Sequence, residues 1–282
     1  MNHRAGSLAS LPDPRAALSA ALAEAGYTLA PAPPEQAALE EQWRAAGTAG
    51  IVFVAGGDGT LRNAAARLAG TGRVLAPIPA GTMNRFATRL GLPPTPQAAI
   101  AAYRSATVHE IPLAEVNGEP FLHQCVVGRI TWLMRLRERQ RGTGMRGWWR
   151  MLRALLREAL HPHLPRVLTA RLGPASHAGL RRTRAHTAVV TAPSAAEPPL
   201  LCLKVAPRRD PRVLLRQAWR WFRGRLADDP DILVRYTTHL AIAATARTVR
   251  LSVDGEALRA RTPLRFRLRP AALRVLVPTP PE

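Results

Sequence analysis

The sequence is short of acid, lysine, cysteine and long apolar runs, and each shortage excludes something. Against 40 basic residues stand only 19 acidic ones, so the 282-residue chain carries a formal charge of +21. Lys204 is the sole lysine, and the other basic residues are all arginine. That bias accounts for arginine over lysine but not for the excess of base over acid. Two cysteines, Cys125 and Cys202, without any CxxC, exclude a disulfide framework and leave no metal spacing; they read as buried thiols in a reducing cytosol. The scattered histidines add no metal site, and His161-Pro162-His163 reads as a loop. No uninterrupted apolar run is long enough for a spanning helix, which takes about 18 residues. The first residues, Met1-Asn2-His3-Arg4, lack the apolar core of a signal peptide, so a cytoplasmic location is expected. With 47% hydrophobic residues the chain is not disordered, and its length suits one large domain or two ordinary ones.

The charge is unevenly placed. Residues 1–112 hold 9 basic and 7 acidic residues, a net of +2, whereas 113–282 hold 31 and 12, a net of +19. Composition shifts at Pro93-Pro94-Thr95-Pro96 and again at Ile111-Pro112. These shifts predict a domain over 1–110 and another over 111–282, with the last strand able to return to the first.

The first part alternates helix and strand. Helices are predicted over Ala16–Ala25, Glu35–Ala46, Leu61–Leu68 and Met83–Leu90, with a short strand at Tyr27-Thr28-Leu29. Ile51–Val54 and Val74–Ile78 are brief continuous apolar runs, as buried parallel strands require. Such alternation makes a layered α/β domain. The second part reads as β-rich. Strands are predicted at Pro120–Val127, Arg166–Leu172, Thr187–Thr191, Leu200–Val205, Thr238–Ala243, Thr248–Val253 and Leu264–Leu268.

Three short motifs carry chemistry. In the first, a buried strand runs into Gly56-Gly57-Asp58-Gly59-Thr60 and then a helix containing Asn63. Glycines let backbone N–H groups approach a ligand, and a helix N-terminus offers free donors to phosphate. Asp58 beside a polyanion suggests a metal–nucleotide or ribose contact. The plainer alternative is a tight loop whose glycines only relieve strain. The second motif repeats the design, with Gly81-Thr82-Met83-Asn84-Arg85 after a strand; here Thr82 or Asn84 could simply cap a helix. Ligands of open parallel sheets bind beyond the carboxyl ends of strands, so the two turns suit one crevice. The third is Asp254-Gly255-Glu256, flanked by alternating apolar residues. It is a hairpin signal first; the other reading is a pair of carboxylates on one strand face supplying a general base.

Two arginine-rich segments with tryptophan lie between the β stretches. One covers 129–166, with Arg146, Arg150, Arg153 and Arg157 at helical spacing beside Trp148 and Leu152. The other has Arg212, Arg216, Arg220 and Arg223 with Trp219 and Trp221. Such helices suit the headgroup boundary of an anionic bilayer, or plain domain packing with a solvated face. No nucleic-acid-binding signature accompanies the charge.

In this order, the three motifs resemble the diacylglycerol kinase catalytic-domain family of bacterial lipid kinases, relatives of the sphingosine kinases. The closing Pro270–Pro278 is similar to that family's last strand. The resemblance implies an N-terminal Rossmann-like nucleotide-binding α/β domain shared with NAD kinases and a C-terminal β-rich sandwich that binds lipid. It implies transfer of the ATP γ-phosphoryl group, with Mg²⁺, to a lipid hydroxyl of diacylglycerol type. The nucleotide site would comprise Gly56, Gly57, Asp58, Gly59, Thr60, Asn63, Gly81, Thr82 and Asn84, with Glu256 as general base and Asp254 beside it. The implied partners are a lipid substrate and an anionic membrane surface, with peripheral attachment to the inner face. Nucleic acid is not expected, and a homodimer is compatible. The alternatives are a non-catalytic lipid- or nucleotide-binding relative, and an NAD kinase, which a +19 second half does not suit. The family usually opens with a strand and an Asn-Pro-x-Ser-Gly turn. Asn2–Ser7 resembles the turn with His3 for proline, and the strand before it is absent. Arg85 stands where many members have aspartate. No aspartate precedes Pro199–Leu203 to hold the family's structural Mg²⁺.

Overall fold

The computed structural model describes residues 8, 12–31, 39–128, 168–172, 183–194, 197–207, 216, 220 and 232–279. The arginine–tryptophan segments lie outside the described residues, Arg216 and Arg220 excepted, as do the Asn2–Ser7 turn, the His161–His163 loop and the start of the helix expected from Glu35. The chain forms two compact units. The first comprises 1–113, 193–199 and 269–282, and the second 114–192 and 200–268.

The first unit is built around parallel strands. Its elements are α1 (Pro14–Glu24), α2 (Leu39–Ala45), β1 (Ile51–Gly56), α3 (Asp58–Leu68), β2 (Val74–Pro79), α4 (Arg85–Arg89) and α5 (Pro96–Ala102). Strand β3 (Ala106–Val116) leads out of it. Asp13 starts α1 by accepting the Ala16 N–H at 2.8 Å, and Gly26, at φ +91°, ends it. Strand β2 is buried throughout and pairs in parallel with β1 along its whole length. Two prolines in such a strand need explaining. Val74 donates to Gly50 and Ala80 to Gly56, so the even-numbered residues of β2 face β1. Pro77 and Pro79 therefore face the other way. There the chain's last strand, β13 (Leu264–Pro278), pairs only with Val74 and Leu75, so no rung needs the missing N–H. The Pro77 carbonyl instead accepts the buried Tyr103 hydroxyl at 2.5 Å.

One expectation needs correction here. Tyr27–Leu29 is not a strand. The Tyr27 ring stands edge-on to Phe53, with centroids 4.8 Å apart, and its hydroxyl donates to the Tyr103 carbonyl. Burial raises the Tyr27 pKa. In the proline-rich stretch after Gly91, Thr95 accepts the Ala98 N–H at 3.4 Å and begins α5 at Pro96. Strand β3 also runs unbroken through Ile111-Pro112.

The second unit is antiparallel. Its strands are β4 (Glu119–Phe121), β5 (Gln124–Gly128), β6 (Leu168–Leu172), β7 (Thr183–Thr191), β8 (Leu201–Pro207), β9 (Leu233–Thr237), β10 (His239–Ala244), β11 (Thr248–Val253) and β12 (Glu256–Arg261). They are ordered β10-β6-β7-β5-β11-β12, with β8 and β9 added on β7 and the start of β13 beside β10. Alternate residues of these strands make one core, including Cys125, Val127, Val190, Leu203, Leu251 and Phe266. Phe121 and Phe266 meet edge-on within it.

Candidate functional site

In the first unit the two glycine turns interlock. Strand β1 ends at Gly56 and α3 begins at Asp58, leaving Gly57 as the helix cap without any side-chain hydrogen bond. The cap residue, being glycine, offers no side-chain acceptor to the first N–H groups of this eleven-residue helix. A Cβ on Gly56 would lie 2.6 Å from the Thr60 Cβ, so only glycine lets the turn close on its own helix. A Cβ on Gly81 would lie 2.4 Å from the Gly57 Cα, so the second turn rests backbone-to-backbone on the first. The Ala80 N–H donates to the Gly56 carbonyl at 3.1 Å, tying the strand ends together.

Polar side chains complete the lock. Asn84 takes a left-handed backbone, φ +47°. Its Oδ1 accepts the Gly81 N–H and its Nδ2 donates to the Gly81 carbonyl, both at 2.8 Å. Asn84 is thereby a turn clamp. Asp58 Oδ1 accepts the Phe86 N–H at 3.1 Å, linking the start of α3 to the start of α4. Gly59 and Thr60 are half-buried, while Asn63 and Thr82 are exposed. A mostly apolar cavity of ≈ 770 Å³ lies against β1, walled by Leu18, Leu22, Tyr27, Trp43 and Phe53, and it reaches Thr60 and Asn63.

The third motif belongs to the second unit. Asp254 and Gly255 have φ of +49° and +99°, and they join β11 to β12 in a two-residue hairpin. Asp254 therefore sits in the turn, and the strand geometry that would set it on one face with Glu256 does not hold. Its carboxylate is heavily engaged. Oδ2 accepts the Leu122 N–H at 2.7 Å, and Oδ1 accepts those of His123 and Gln124 at 2.9 Å each. The Asp254 N–H also donates to the Gln124 carbonyl. Glu256 follows as the exposed first residue of β12, opposite Val253. The neighbouring Cys125 thiol is pushed far up, first by burial and then by the Asp254 charge, so it stays protonated. Sequence reasoning missed the 122–124 backbone donors, because nothing in Leu122-His123-Gln124 marks them.

Would a nucleotide and its metal fit these residues? Gly56, Gly57 and Gly81 are taken up by close packing against Thr60 and against each other's backbones, and the N–H groups at the start of α3 are the donors an anion would use. Among the described residues no cluster of three His, Cys, Asp or Glu could hold a metal. Mg²⁺ on a nucleotide needs less: phosphate oxygens, water and one or two carboxylates, for which Asp58 is the candidate.

Two glycine turns at the carboxyl ends of adjacent parallel strands, one opening directly into a helix, make this unit an open-sheet α/β domain with its turns at the strand ends where such folds bind ligands. Comparison with known proteins adds to this. Residues 1–116 match the family model of the diacylglycerol kinase catalytic domain. A Pseudomonas aeruginosa protein named "Probable lipid kinase YegS-like" is 46% identical over 92 residues, covering 32% of this chain and 30% of its own. A Stenotrophomonas maltophilia protein of the same name is 41% identical over 75 residues, covering 24% of each. The chain thus aligns with less than a third of these relatives' length. In fold the likeness is wider: a diacylglycerol kinase crystal structure from Bacillus anthracis covers 99% of this chain and 95% of its own, with TM-score 0.66 and 19% identity.

Proposed function

We propose that the protein is an ATP-dependent lipid kinase that phosphorylates a hydroxyl of a diacylglycerol-like lipid. The observation that carries this reading is the backbone contact of Gly57 with Gly81, which puts two glycine turns and a helix start together. The family match of residues 1–116 and the names of the relatives support it. The N–H groups at the start of α3 bind the phosphates, and Gly56, Gly57 and Gly81 let the two turns close tightly around that helix start. Mg²⁺, when bound with ATP, neutralises charge on the phosphate oxygens, and Asp58 is placed to hold it. Glu256 is the general base. The lipid hydroxyl oxygen bonds to the γ-phosphorus, the bond to the bridging oxygen of ADP breaks, and the hydroxyl proton goes to the Glu256 carboxylate. Asp254, engaged by three backbone donors, positions the hairpin from which Glu256 projects.

The test is transfer of label from γ-³²P-ATP to a lipid panel. Wild type should label a lipid, and Glu256→Gln should lower kcat by roughly 10² to 10⁴ with ATP binding intact. Undiminished transfer by the variant would remove Glu256 from the chemistry. ATP-induced stabilisation without transfer to any lipid would favour the non-catalytic binding alternative.

A further inference from the structure

The second unit pairs some of its arginines and leaves others bare. The Arg267 Nε lies 2.6 Å from Oε2 of Glu115, whose side chain is buried. By contrast Arg247, Arg250, Arg259, Arg261 and Arg265 are all exposed, and none makes an ion pair with a described carboxylate. These five gather at one end of the unit. Arg250 and Arg259 are direct cross-strand partners in the β11–β12 hairpin, so both guanidinium groups stand on one face. Arg261, two residues on from Arg259, shares that face, while Val249 and Leu251 on the other face are buried. The Thr262 N–H donates to the Arg247 carbonyl, holding the start of the hairpin to its end. Asn117 adds Arg265: its Nδ2 donates to the Arg261 carbonyl, and its Oδ1 accepts the Arg265 N–H at 2.8 Å. Glu115 and Glu119 flank Asn117, each two residues away, and Glu115 is the partner of Arg267.

Like charges directly opposite on adjacent strands destabilise a sheet. A hairpin that sets Arg250 against Arg259 is tuned for an anion outside the protein. These residues present no aromatic ring on which a base could stack. We propose that this arginine end of the second unit docks on the headgroups of an anionic bilayer. The proposal rests on the lipid-kinase reading for its choice of a membrane over other polyanions. It differs from the sequence expectation, which placed the contact on the arginine–tryptophan segments.

The test is co-sedimentation of the full chain with phosphatidylcholine vesicles containing 30% phosphatidylglycerol. Wild type should partition onto them, release in high salt, and ignore pure phosphatidylcholine. Arg250→Gln with Arg259→Gln should weaken partition about 25-fold, about fivefold for each arginine. Its melting temperature should hold or rise, because a like-charge pair is relieved; this separates lost docking from misfolding. An unchanged partition of the double variant overturns the proposal. So does equal binding to neutral vesicles, or an oligonucleotide that displaces the vesicles. Phosphorylation of a short-chain, water-soluble diacylglycerol should be equal in wild type and variant. If neither phosphorylates it while vesicle binding still depends on Arg250 and Arg259, the kinase reading fails and the docking surface stands.

Discussion

Each unit ends a strand in a tight turn that carries an aspartate, and the two turns are closed by different forces. The first closes by shape: Gly57 and Gly81 touch through their backbones, and Asp58 accepts a single N–H, from Phe86. The second closes by charge: Asp254 accepts three consecutive backbone N–H groups with both oxygens. A carboxylate has about four acceptor sites. Asp58 therefore keeps most of its capacity for a ligand, whereas Asp254 has spent its capacity on the protein. Two aspartates that look alike in the sequence thus do different work.

The largest effect should come from breaking the shape-closed turn. In Gly81→Ala the new Cβ would meet the Gly57 Cα at 2.4 Å. The obstacle is backbone, so no side chain can swing aside, and overpacking of this kind costs about 3 kcal/mol. Thermal melting should show that loss. The gain in melting temperature with Mg-ATP should also vanish, although ligand at a hundred times its dissociation constant normally adds about 2.7 kcal/mol. A variant that melts like wild type and still responds to ATP would mean the turns do not depend on this contact.

What could be read from the sequence follows the range of the forces involved. The strand–glycine–helix turns were legible because Ile51–Val54 is apolar throughout and the glycines follow within a few residues. The Asp254-Gly255 hairpin was legible for the same local reason. The use of Asp254 was not, since its Leu122 partner is 132 residues away. Tyr27–Leu29 has strand composition, but its tyrosine is drawn into an aromatic contact with Phe53. Strand β3 was hidden because Pro112 reads as a break. How far strand β12 runs past the turn was hidden by its arginines: exposed Arg259 and Arg261 alternate with half-buried Leu258 and Ala260, a weak apolar signal.

Removing the charge that closes the second turn should come next in size. Asp254→Ala leaves three part-buried N–H groups without their acceptor, at about 2–3 kcal/mol in total. Asp254→Asn retains one acceptor oxygen and should lose less. Hydrogen exchange at the amides of Leu122, His123 and Gln124 should quicken in both, most in the alanine variant. Exchange at Gly57 and Gly81 should not change. If the asparagine variant matches wild type in stability and exchange, the turn is held by hydrogen-bond geometry alone, and the contrast with the first unit weakens.

The smallest change in stability, and the sharpest test of the contrast, belongs to Asp58→Asn. Asparagine can still accept the Phe86 N–H through its Oδ1, so the melting temperature without ligand should move by no more than about 1 kcal/mol of stability. The carboxylate's remaining acceptor sites are what the substitution removes. Stabilisation by Mg-ATP should therefore fall well below the wild-type value, while stabilisation by ATP with the metal chelated should change little, because the N–H groups that begin α3 are untouched. Equal metal-dependent stabilisation in wild type and variant would show Asp58 to be a structural tie like Asp254. The two turns would then differ in how they close but not in what they leave free.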